Sequence, residues 1–250
     1  KVQGRDELAS LAQDFNRMAE ALERVEQGRI ELIGSVAHEL RTPLAGLQGY
    51  AEALADGVLP PEQAAGRISH EVRAMRRLIE DLSLVSRVEA GAVEIRPQAL
   101  DPVEVLRQAL ERFELVFAEQ GVALRLEPSG PLPAVWGDLE RLQQVLSNLL
   151  SNALRHTPPG GEVVLKAEPT RGGVRFSVRD TGLGIPPEHQ ARVFERFYRV
   201  DSARSRQDGG SGVGLTVARG LVEAMGGSMG LESEVGHGST FWFILPTWFR

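Results

Sequence analysis

Apolar residues in the first third of the chain recur every three or four positions, as on one face of an α-helix. The first run has heptad spacing and consists of Leu8, Leu11, Phe15, Met18, Leu22 and Val25. After an interruption at Glu26, Gly28 and Arg29 the stripe continues through Ile33, Ala37, Leu40, Leu44, Leu47, Ala51 and Leu54. A third run follows Gly57 and Pro60–Pro61, comprises Ile68, Val72, Met75, Ile79 and Leu82, and fades near Gly91. Because Gly and Pro end helices, the pattern predicts an antiparallel helical hairpin.

A hairpin with one apolar stripe on each helix cannot enclose a core by itself. Dimerisation through the hairpin would complete a four-helix bundle, and the length and heptad spacing of the stripe favour this arrangement. The alternative is that the stripe packs against the C-terminal part of the same chain.

The pattern changes near Pro97, where helical and alternating segments begin to mix. Helices are predicted over Val103–Phe117, Asp138–Arg155 and Val213–Met225. Strands are predicted over Val122–Leu126, Glu162–Glu168, Val174–Asp180, Ser228–Ser233 and Ser239–Leu245. This mixture predicts an α/β sandwich with its helices on one face of a sheet.

Composition removes several classes of function. The 250 residues carry a formal net charge of -6 and contain no cysteine, which excludes disulfides, thiolate metal sites and thiol catalysis. Basic residues are scattered rather than grouped in a stripe, so no nucleic-acid partner is expected. The sequence lacks an apolar run long enough to span a bilayer.

His38 stands out on the first hairpin helix. At about 100° per residue it lies roughly 140° from Ile33, and Thr42 lies roughly 180° away, so both should face water, with Glu39 on the flank. Neutral imidazole is a nucleophile, and a neighbouring carboxylate could accept its proton. A lone surface histidine is usually only solvated. A zinc motif is excluded because Thr42 occupies the position of its second histidine.

Glycine-rich stretches fall in the second half, and none completes a Walker or dinucleotide motif. Asn148 and Asn152 lie one turn apart on a leucine-rich helix. They are either simply exposed or ligands of a hard cation such as Mg²⁺, which accepts amide oxygens. Asp180 precedes Thr181–Gly184 and is either a turn residue or an acceptor for the amino group of a nucleotide base.

These segments together resemble the sensor histidine kinases of two-component systems. Ser35–Pro43 resembles the family's phosphoacceptor box. Five further segments resemble, in order, the boxes of the ATP-binding domain that histidine kinases share with the wider gyrase, chaperone and mismatch-repair ATPase superfamily. They are Asn148–Ala153, Asp180–Gly184, Phe194–Arg199, Gly209–Leu215 and Gly236–Phe241. Arg5–Leu8 and Gln13–Met18 resemble the end of a HAMP signalling module.

The resemblance implies a role for each matching residue. His38 would accept the γ-phosphoryl group of ATP, Glu39 would act as base, and Thr42 would position water during dephosphorylation of a partner. Asn152, helped by Asn148, would hold Mg²⁺. The remaining implied nucleotide-binding residues are Arg155, Asp180, Gly182, Gly184, Phe197, Arg199, Gly212, Gly214 and Leu215. The segment from about Pro186 to Gly212 would be a mobile lid.

The implied protein has three parts: a truncated C-terminal HAMP helix at 1–28, a dimerisation and phosphotransfer domain at 29–95, and an ATP-binding domain at 98–250. The stretch around Arg96–Pro97 would be a hinge. We expect a homodimer that passes its phosphoryl group to an aspartate of a response regulator and also acts as its phosphatase. The expected location is the cytoplasmic portion of a bacterial inner-membrane protein, behind an upstream sensor segment. The alternatives are a superfamily ATPase or a signalling scaffold without histidine phosphorylation.

Overall fold

The computed structural model describes residues 4–127, 130–200 and 212–248. Within the first helix, side chains are described at 15–20, 23, 33–34 and from residue 36 onward. The chain divides into two compact units, Lys1–Arg76 and Arg77–Arg250.

The first unit is built from two helices, α1 (Gly4–Ala55) and α2 (Pro61–Glu89), and the last turns of α2 belong to the second unit. Gly46 lies against Glu71. Further along α1, Tyr50 lies under the guanidinium of Arg67, 5.5 Å from the ring centroid. The contact of Tyr50, the later residue on α1, is with Arg67, the earlier residue on α2. The two helices therefore run antiparallel, and the predicted hairpin is confirmed.

The α1 helix continues through two features that could have ended it. Its backbone is helical across the interruption of the stripe at residues 26–29, and Pro43 lies inside the helix. The loop that closes the hairpin contains Gly57 with φ 72°. Helix termination at Gly57 and the two prolines follows the sequence expectation.

The second unit places helices on one face of a five-stranded sheet. The helices are α3 (Pro102–Glu119), α4 (Leu139–His156), the four-residue α5 (Pro187–Gln190) and α6 (Gly214–Ala224). The sheet strands are β2 (Ala123–Leu126), β4 (Glu162–Thr170), β5 (Gly173–Asp180), β6 (Ser228–Glu234) and β7 (Gly238–Leu245). Their order is β2-β4-β5-β7-β6, with β2 parallel to β4 and the other pairs antiparallel.

The core lies between this sheet and the helices α3, α4 and α6. Alternate residues of β5 and β7 are buried, and Phe176 and Phe243 stack with centroids 4.9 Å apart. On the helix side, Leu142, Leu146, Leu149 and Leu150 of α4 are fully buried. The predicted α/β sandwich is therefore confirmed, and the full fold class, a helical region followed by an α/β ATPase-type sheet, is as expected.

Three short elements were not predicted. The strands β1 (Gln98–Leu100) and β3 (Val135–Gly137) form a separate antiparallel pair, and α5 follows the first glycine loop. Three or four residues are too few for hydrophobic periodicity to reveal them. Of these elements, β3 leads directly into α4 and so fixes where that helix begins.

Among the described residues, every helix falls short of the length and apolar character needed to cross a membrane.

Candidate active site

His38 lies on the exposed surface of α1, as its helical phase predicts. The side chains of His38 and Thr42 are exposed, and Glu39, on the flank, is half-buried. Pro43 follows immediately and is also half-buried. In the first unit, the imidazole is therefore accessible to a partner that approaches from solvent.

The α4 helix positions the two asparagines of the second unit. Its N-cap is Asp138, whose Oδ1 accepts hydrogen bonds from the N–H groups of Glu140 (3.0 Å) and Arg141 (3.2 Å). Such caps satisfy backbone donors that a helix leaves without partners. The apolar face of α4 is buried against the sheet, so that Asn148 and Asn152 lie half-buried at the edge of this contact.

Asn148 joins α4 to the start of α6. Its Nδ2 donates to the carbonyl oxygen of Gly214 at 2.9 Å. This bond fixes which end of the amide carries the oxygen and leaves Oδ1 as a potential ligand atom. The reading of Asn148 as a merely exposed residue is therefore wrong. Arg155, near the end of the same helix, is exposed.

Asp180 ends β5 as a buried carboxylate, with 4% of its surface exposed. Its Oδ1 accepts from the N–H groups of Gly182 (2.9 Å) and Ser239 (3.2 Å). Burial raises the pKa of this carboxyl group, and the two backbone hydrogen bonds act in the opposite direction. Because both backbone donors use Oδ1, Oδ2 is the atom that can accept a hydrogen bond from a bound group.

The glycines after Asp180 are required by close backbone packing. A Cβ at Gly182 would lie 2.3 Å from the carbonyl oxygen of His156, at the end of α4. Gly184 has φ 71°, and its Cβ would lie 2.0 Å from the carbonyl oxygen of Glu234. We expected these glycines to make room for a base. The atoms nearest to the Cβ positions of these two glycines are backbone carbonyl oxygens at the end of α4 and in β6.

The segment after α5 is anchored by Phe194, whose ring packs edge-on against Phe241 at 6.4 Å between centroids. The hydroxyl of Thr216 donates to the Phe194 carbonyl at 3.0 Å. Phe197 has a left-handed backbone (φ 59°), and its N–H donates to the carbonyl of Gly212 at 2.9 Å. Arg199 is half-buried. Residues 201–211, including Gly209 and Gly210 of the expected second glycine box, lie outside the described residues.

The start of α6 presents backbone donors beside Asn148. Val213 occupies the N-cap position and has no side-chain cap hydrogen bond. The N–H groups of Gly214 and Leu215 therefore belong to a first turn without a side-chain cap, and a helix N-terminus of this kind favours anionic groups. Gly212, Gly214 and Leu215 thus surround the helix start, as expected from their order in the sequence.

Two contributors to this site were missed in the sequence. Ser239 supplies its N–H to Asp180, and the carbonyl of His156 accepts from Leu183 N–H at 3.3 Å. The hydrogen bond from Ser239 to Asp180 forms because the register of β5 and β7 places these two residues opposite each other. A strand register between residues so far apart carries no local sequence signal.

The second unit therefore brings Asn148, Asp180, Gly182 and Gly214 together around α4 and the start of α6. His38, Glu39 and Thr42 belong to α1 in the first unit. Two hydrogen bonds tie these segments to α4: the carbonyl of Gly214 accepts from Asn148, and the N–H of Leu183 donates to the carbonyl of His156. The arrangement forms a cradle with an anion-favouring helix start and one buried carboxylate acceptor.

Family models match three consecutive segments of the chain. Residues 1–24 match the HAMP domain, residues 28–91 the His Kinase A (phospho-acceptor) domain, and residues 137–248 the histidine kinase-, DNA gyrase B- and HSP90-like ATPase. The match at 28–91 contains His38, and the match at 137–248 contains the cradle described above.

Known proteins are similar to this chain over most of its length. The signal transduction histidine-protein kinase BaeS of Escherichia coli (strain K12) is 38% identical over 224 residues, covering 89% of this chain and 48% of BaeS. The chain thus spans about half the length of this curated relative. The structure of Acinetobacter baumannii histidine kinase AdeS has a TM-score of 0.71 at 26% identity, covering 84% of this chain and 98% of AdeS.

Full-length ShkA in complex with AMPPNP is also similar, with a TM-score of 0.67 and 35% identity over 88% of this chain and 46% of ShkA. Together with the domain order, these likenesses define the class of protein. The chain belongs to the sensor histidine kinases of two-component signal transduction.

Proposed function

We propose that this chain is an ATP-dependent protein-histidine kinase that phosphorylates His38. The observation that carries the proposal is the hydrogen bond between Asn148 and Gly214, which assembles two nucleotide-binding boxes into one cradle. The exposed imidazole of His38, in the segment matched by the phosphoacceptor model, supplies the acceptor. Donor site and acceptor thus belong to one chain.

ATP would bind in the cradle of the second unit. Asp180 Oδ2 would accept a hydrogen bond from the adenine amino group, beside the loop of Gly182 and Gly184. The first turn of α6, at Gly212, Gly214 and Leu215, would face the phosphates. The cations proposed to approach the phosphates are Arg155 and Arg199, and Phe197 would shape the loop beside them.

Mg²⁺ fits the donor set of α4. The amide of Asn148 is oriented by Gly214 so that Oδ1 is the atom left for a cation, and Asn152 lies one turn further on the same half-buried edge. The described residues contain no group of three or more His, Cys, Asp or Glu side chains that could hold a metal. Asn152 and Asn148 would hold the ion, with the phosphates and water completing its shell, and bound Mg²⁺ would neutralise phosphate charge.

The reaction is an in-line transfer. A bond forms between an imidazole nitrogen of His38 and the γ-phosphorus, and the bond from that phosphorus to the bridging oxygen breaks, so that ADP leaves with the electron pair. Glu39, the next residue on α1, would take the imidazole proton. Catalysis then rests on position and charge neutralisation rather than on covalent chemistry by the ATP domain.

Dimerisation would complete the helical hairpin. Exposed apolar side chains remain along its stripe in the single chain, including Ile33 (61% exposed), Leu44 (58%) and Val72 (45%). Burying such side chains against a second copy would stabilise a four-helix bundle.

We place the functional domains at 1–28, 29–95 and 98–250, whereas the compact units divide within α2.

The phosphoryl group would pass from His38 to an aspartate of a response regulator. Thr42, exposed one turn beyond His38, would orient water when the same chain dephosphorylates that regulator. The match of residues 1–24 to a HAMP domain supports a position on the cytoplasmic side of a bacterial inner membrane, next to a sensor segment.

The test is incubation of the purified chain with Mg-ATP labelled at the γ-phosphate, followed by acid and alkali treatment. A phosphoramidate on histidine is lost in acid and kept in alkali. Acid-labile label that maps to His38 and passes to a receiver domain is the expected result. Release of ADP and phosphate without labelled chain would favour the superfamily ATPase, and failure to bind ATP would favour the scaffold.

A further inference from the structure

The two carboxylate oxygens of Asp138 hold different parts of the chain. Oδ1 caps α4 through Glu140 and Arg141, and Oδ2 accepts the main-chain N–H of Arg96 at 2.9 Å. Asp138 is 7% exposed, so these bonds are largely shielded from water. One side chain therefore ties the linker that leaves α2 to the helix that carries Asn148 and Asn152.

The hydrogen bond from Arg96 to Asp138 lies directly beyond the last backbone pair of the β1–β3 sheet. Strand β1 pairs with β3 in a register that ends with Gln98 opposite Gly137. The next residue toward the N-terminus is Pro97, which has no N–H to donate. The carboxylate of Asp138, immediately after β3, takes the following donor, the N–H of Arg96, so the linker stays attached one residue beyond the last strand pair.

The side chain of Arg96 takes no part in this attachment. Its Nε donates to Glu94 at 3.2 Å, and both side chains are strongly exposed. The hydrogen bond to Asp138 uses only the main-chain N–H of Arg96. An alanine at position 96 would keep this donor, and a proline would remove it.

Further upstream, the linker begins at the end of α2, where Gly91 has φ 61°. The N–H of Ala92 there bonds to the carbonyl of Arg87 at 2.8 Å, as at a glycine-terminated helix end. Between Ala92 and Arg96 the chain has neither helix nor strand. The bond to Asp138 therefore fixes the downstream end of this stretch at Arg96, the position at which the sequence predicted a hinge.

We propose that Asp138 is a positioning residue for phosphoryl transfer, which anchors the linker at Arg96 and so fixes the path by which the ATP-binding domain is tethered to the phosphoacceptor helices. The inference rests on the proposed kinase function. A tether that is longer and less directed lowers the effective concentration of one reacting group at the other. Loss of the anchor should therefore slow autophosphorylation while the nucleotide site keeps its affinity.

The test compares three variants of the full chain. Asp138→Asn keeps an amide oxygen for the two cap donors but places an NH₂ group opposite Arg96, where it cannot accept. Arg96→Pro removes the donor and leaves the cap carboxylate intact, so it keeps the test available if Asp138→Asn folds poorly. Arg96→Ala is the matched control, because it alters the side chain and preserves the bond.

In Asp138→Asn, hydrogen exchange at the Arg96 amide should accelerate at least about tenfold, while the amides of Glu140 and Arg141 stay protected. Maximal autophosphorylation rate should fall about fivefold in Asp138→Asn and Arg96→Pro, with KM for ATP within about twofold of wild type. Arg96→Ala should match wild type in both measurements.

The proposal is overturned if Arg96 exchange is unchanged in Asp138→Asn, if that variant keeps the full rate, or if Arg96→Ala is as slow as Arg96→Pro. A raised KM for ATP with an unchanged maximal rate would also overturn it, since it would assign Asp138 to nucleotide binding. Absence of His38 labelling in the wild type would instead contradict the proposed function, and the exchange experiment would still report on the anchor by itself.

Discussion

The main-chain N–H of Phe197 donates to the carbonyl of Gly212 at 2.9 Å, and both residues have left-handed backbone, with φ 59° and 66°. A Cβ at Gly212 would lie 2.9 Å from Cα and 3.0 Å from the carbonyl carbon of Phe197. The bond joins the segment after α5 to the residues that begin α6. The positive φ thus favours glycine at position 212, and the contact with the Phe197 backbone leaves no room there for a Cβ.

Gly212→Ala should therefore weaken ATP binding by about tenfold or more, because the helix start beside Asn148 must shift to relieve the contact. The matched control is Gly226→Ala, since Gly226 also has positive φ (76°) but a Cβ there would meet no atom within 4 Å. The control should lose about 1 to 2 kcal/mol of stability through backbone strain alone and keep its ATP affinity. Thermal unfolding and calorimetric ATP titration measure both quantities, and equal affinities in the two variants would contradict the assignment.

Asp180→Asn should separate stability from nucleotide binding. Burial raises the pKa of Asp180 above its ordinary 3.8, so the folded state holds the proton more tightly than the unfolded state does. The free energy of unfolding attributable to this group is therefore greatest below the unfolded pKa, falls as the pH rises toward the folded pKa, and stays lower above it.

Asp180→Asn removes that pH dependence, because an amide oxygen can still accept from Gly182 and Ser239 without carrying charge. At pH 7 the variant should unfold at the same or a higher temperature than wild type. Its ATP affinity should fall at least about tenfold, because the amide NH₂ cannot accept from an adenine amino group. A variant that loses stability and keeps ATP affinity would show that Asp180 is a structural residue.

Periodicity revealed the long elements and local motifs revealed the chemical candidates. The spacing of Leu44, Leu47 and Leu54 on α1, or of the leucines around Asn148 on α4, is fixed by the helix itself and is visible in the sequence. The phase of α1 also placed His38 and Thr42 at the surface. These features could be predicted because each depends only on neighbouring residues.

The contacts that assemble the site depend on distant segments and could not be predicted. Asn148 meets Gly214 across 66 residues, and Arg96 meets Asp138 across 42. The family resemblance implied that Asn148 helps to hold Mg²⁺. Its hydrogen bond to the start of α6 forms only in the packed fold. The strands β1 and β3 are equally hidden, since three residues have no measurable period.

Asn148 and Asn152 should respond differently to replacement by alanine. Asn148→Ala removes the bond to Gly214 and should lower the free energy of unfolding by about 1 kcal/mol, in addition to weakening Mg-ATP binding. Asn152→Ala should weaken Mg-ATP binding with a smaller effect on unfolding. Denaturant unfolding and ATP titration with and without Mg²⁺ compare the two, and equal losses of stability would contradict the structural role of the Asn148 amide.

Leu44→Glu should dissociate the proposed dimer. The Leu44 side chain is 58% exposed in the single chain, and in a bundle interface an unpaired carboxylate at this position would be costly to bury. The dimer dissociation constant should rise at least about 100-fold. Leu115→Glu is the control, because Leu115 is 70% exposed on α3 of the second unit and is not one of the residues of the hairpin stripe. Sedimentation analysis that finds Leu44→Glu as dimeric as Leu115→Glu would argue against the bundle.

The most direct test of the central claim is phosphorylation of His38→Gln with ATP labelled at the γ-phosphate. Since His38 is exposed on α1 and takes no part in the nucleotide cradle, the variant should bind ATP with wild-type affinity. Its labelling should fall below about 1% of wild type, because glutamine offers no nucleophilic nitrogen. Label that persists on the variant at the wild-type level would place the acceptor elsewhere and contradict the account.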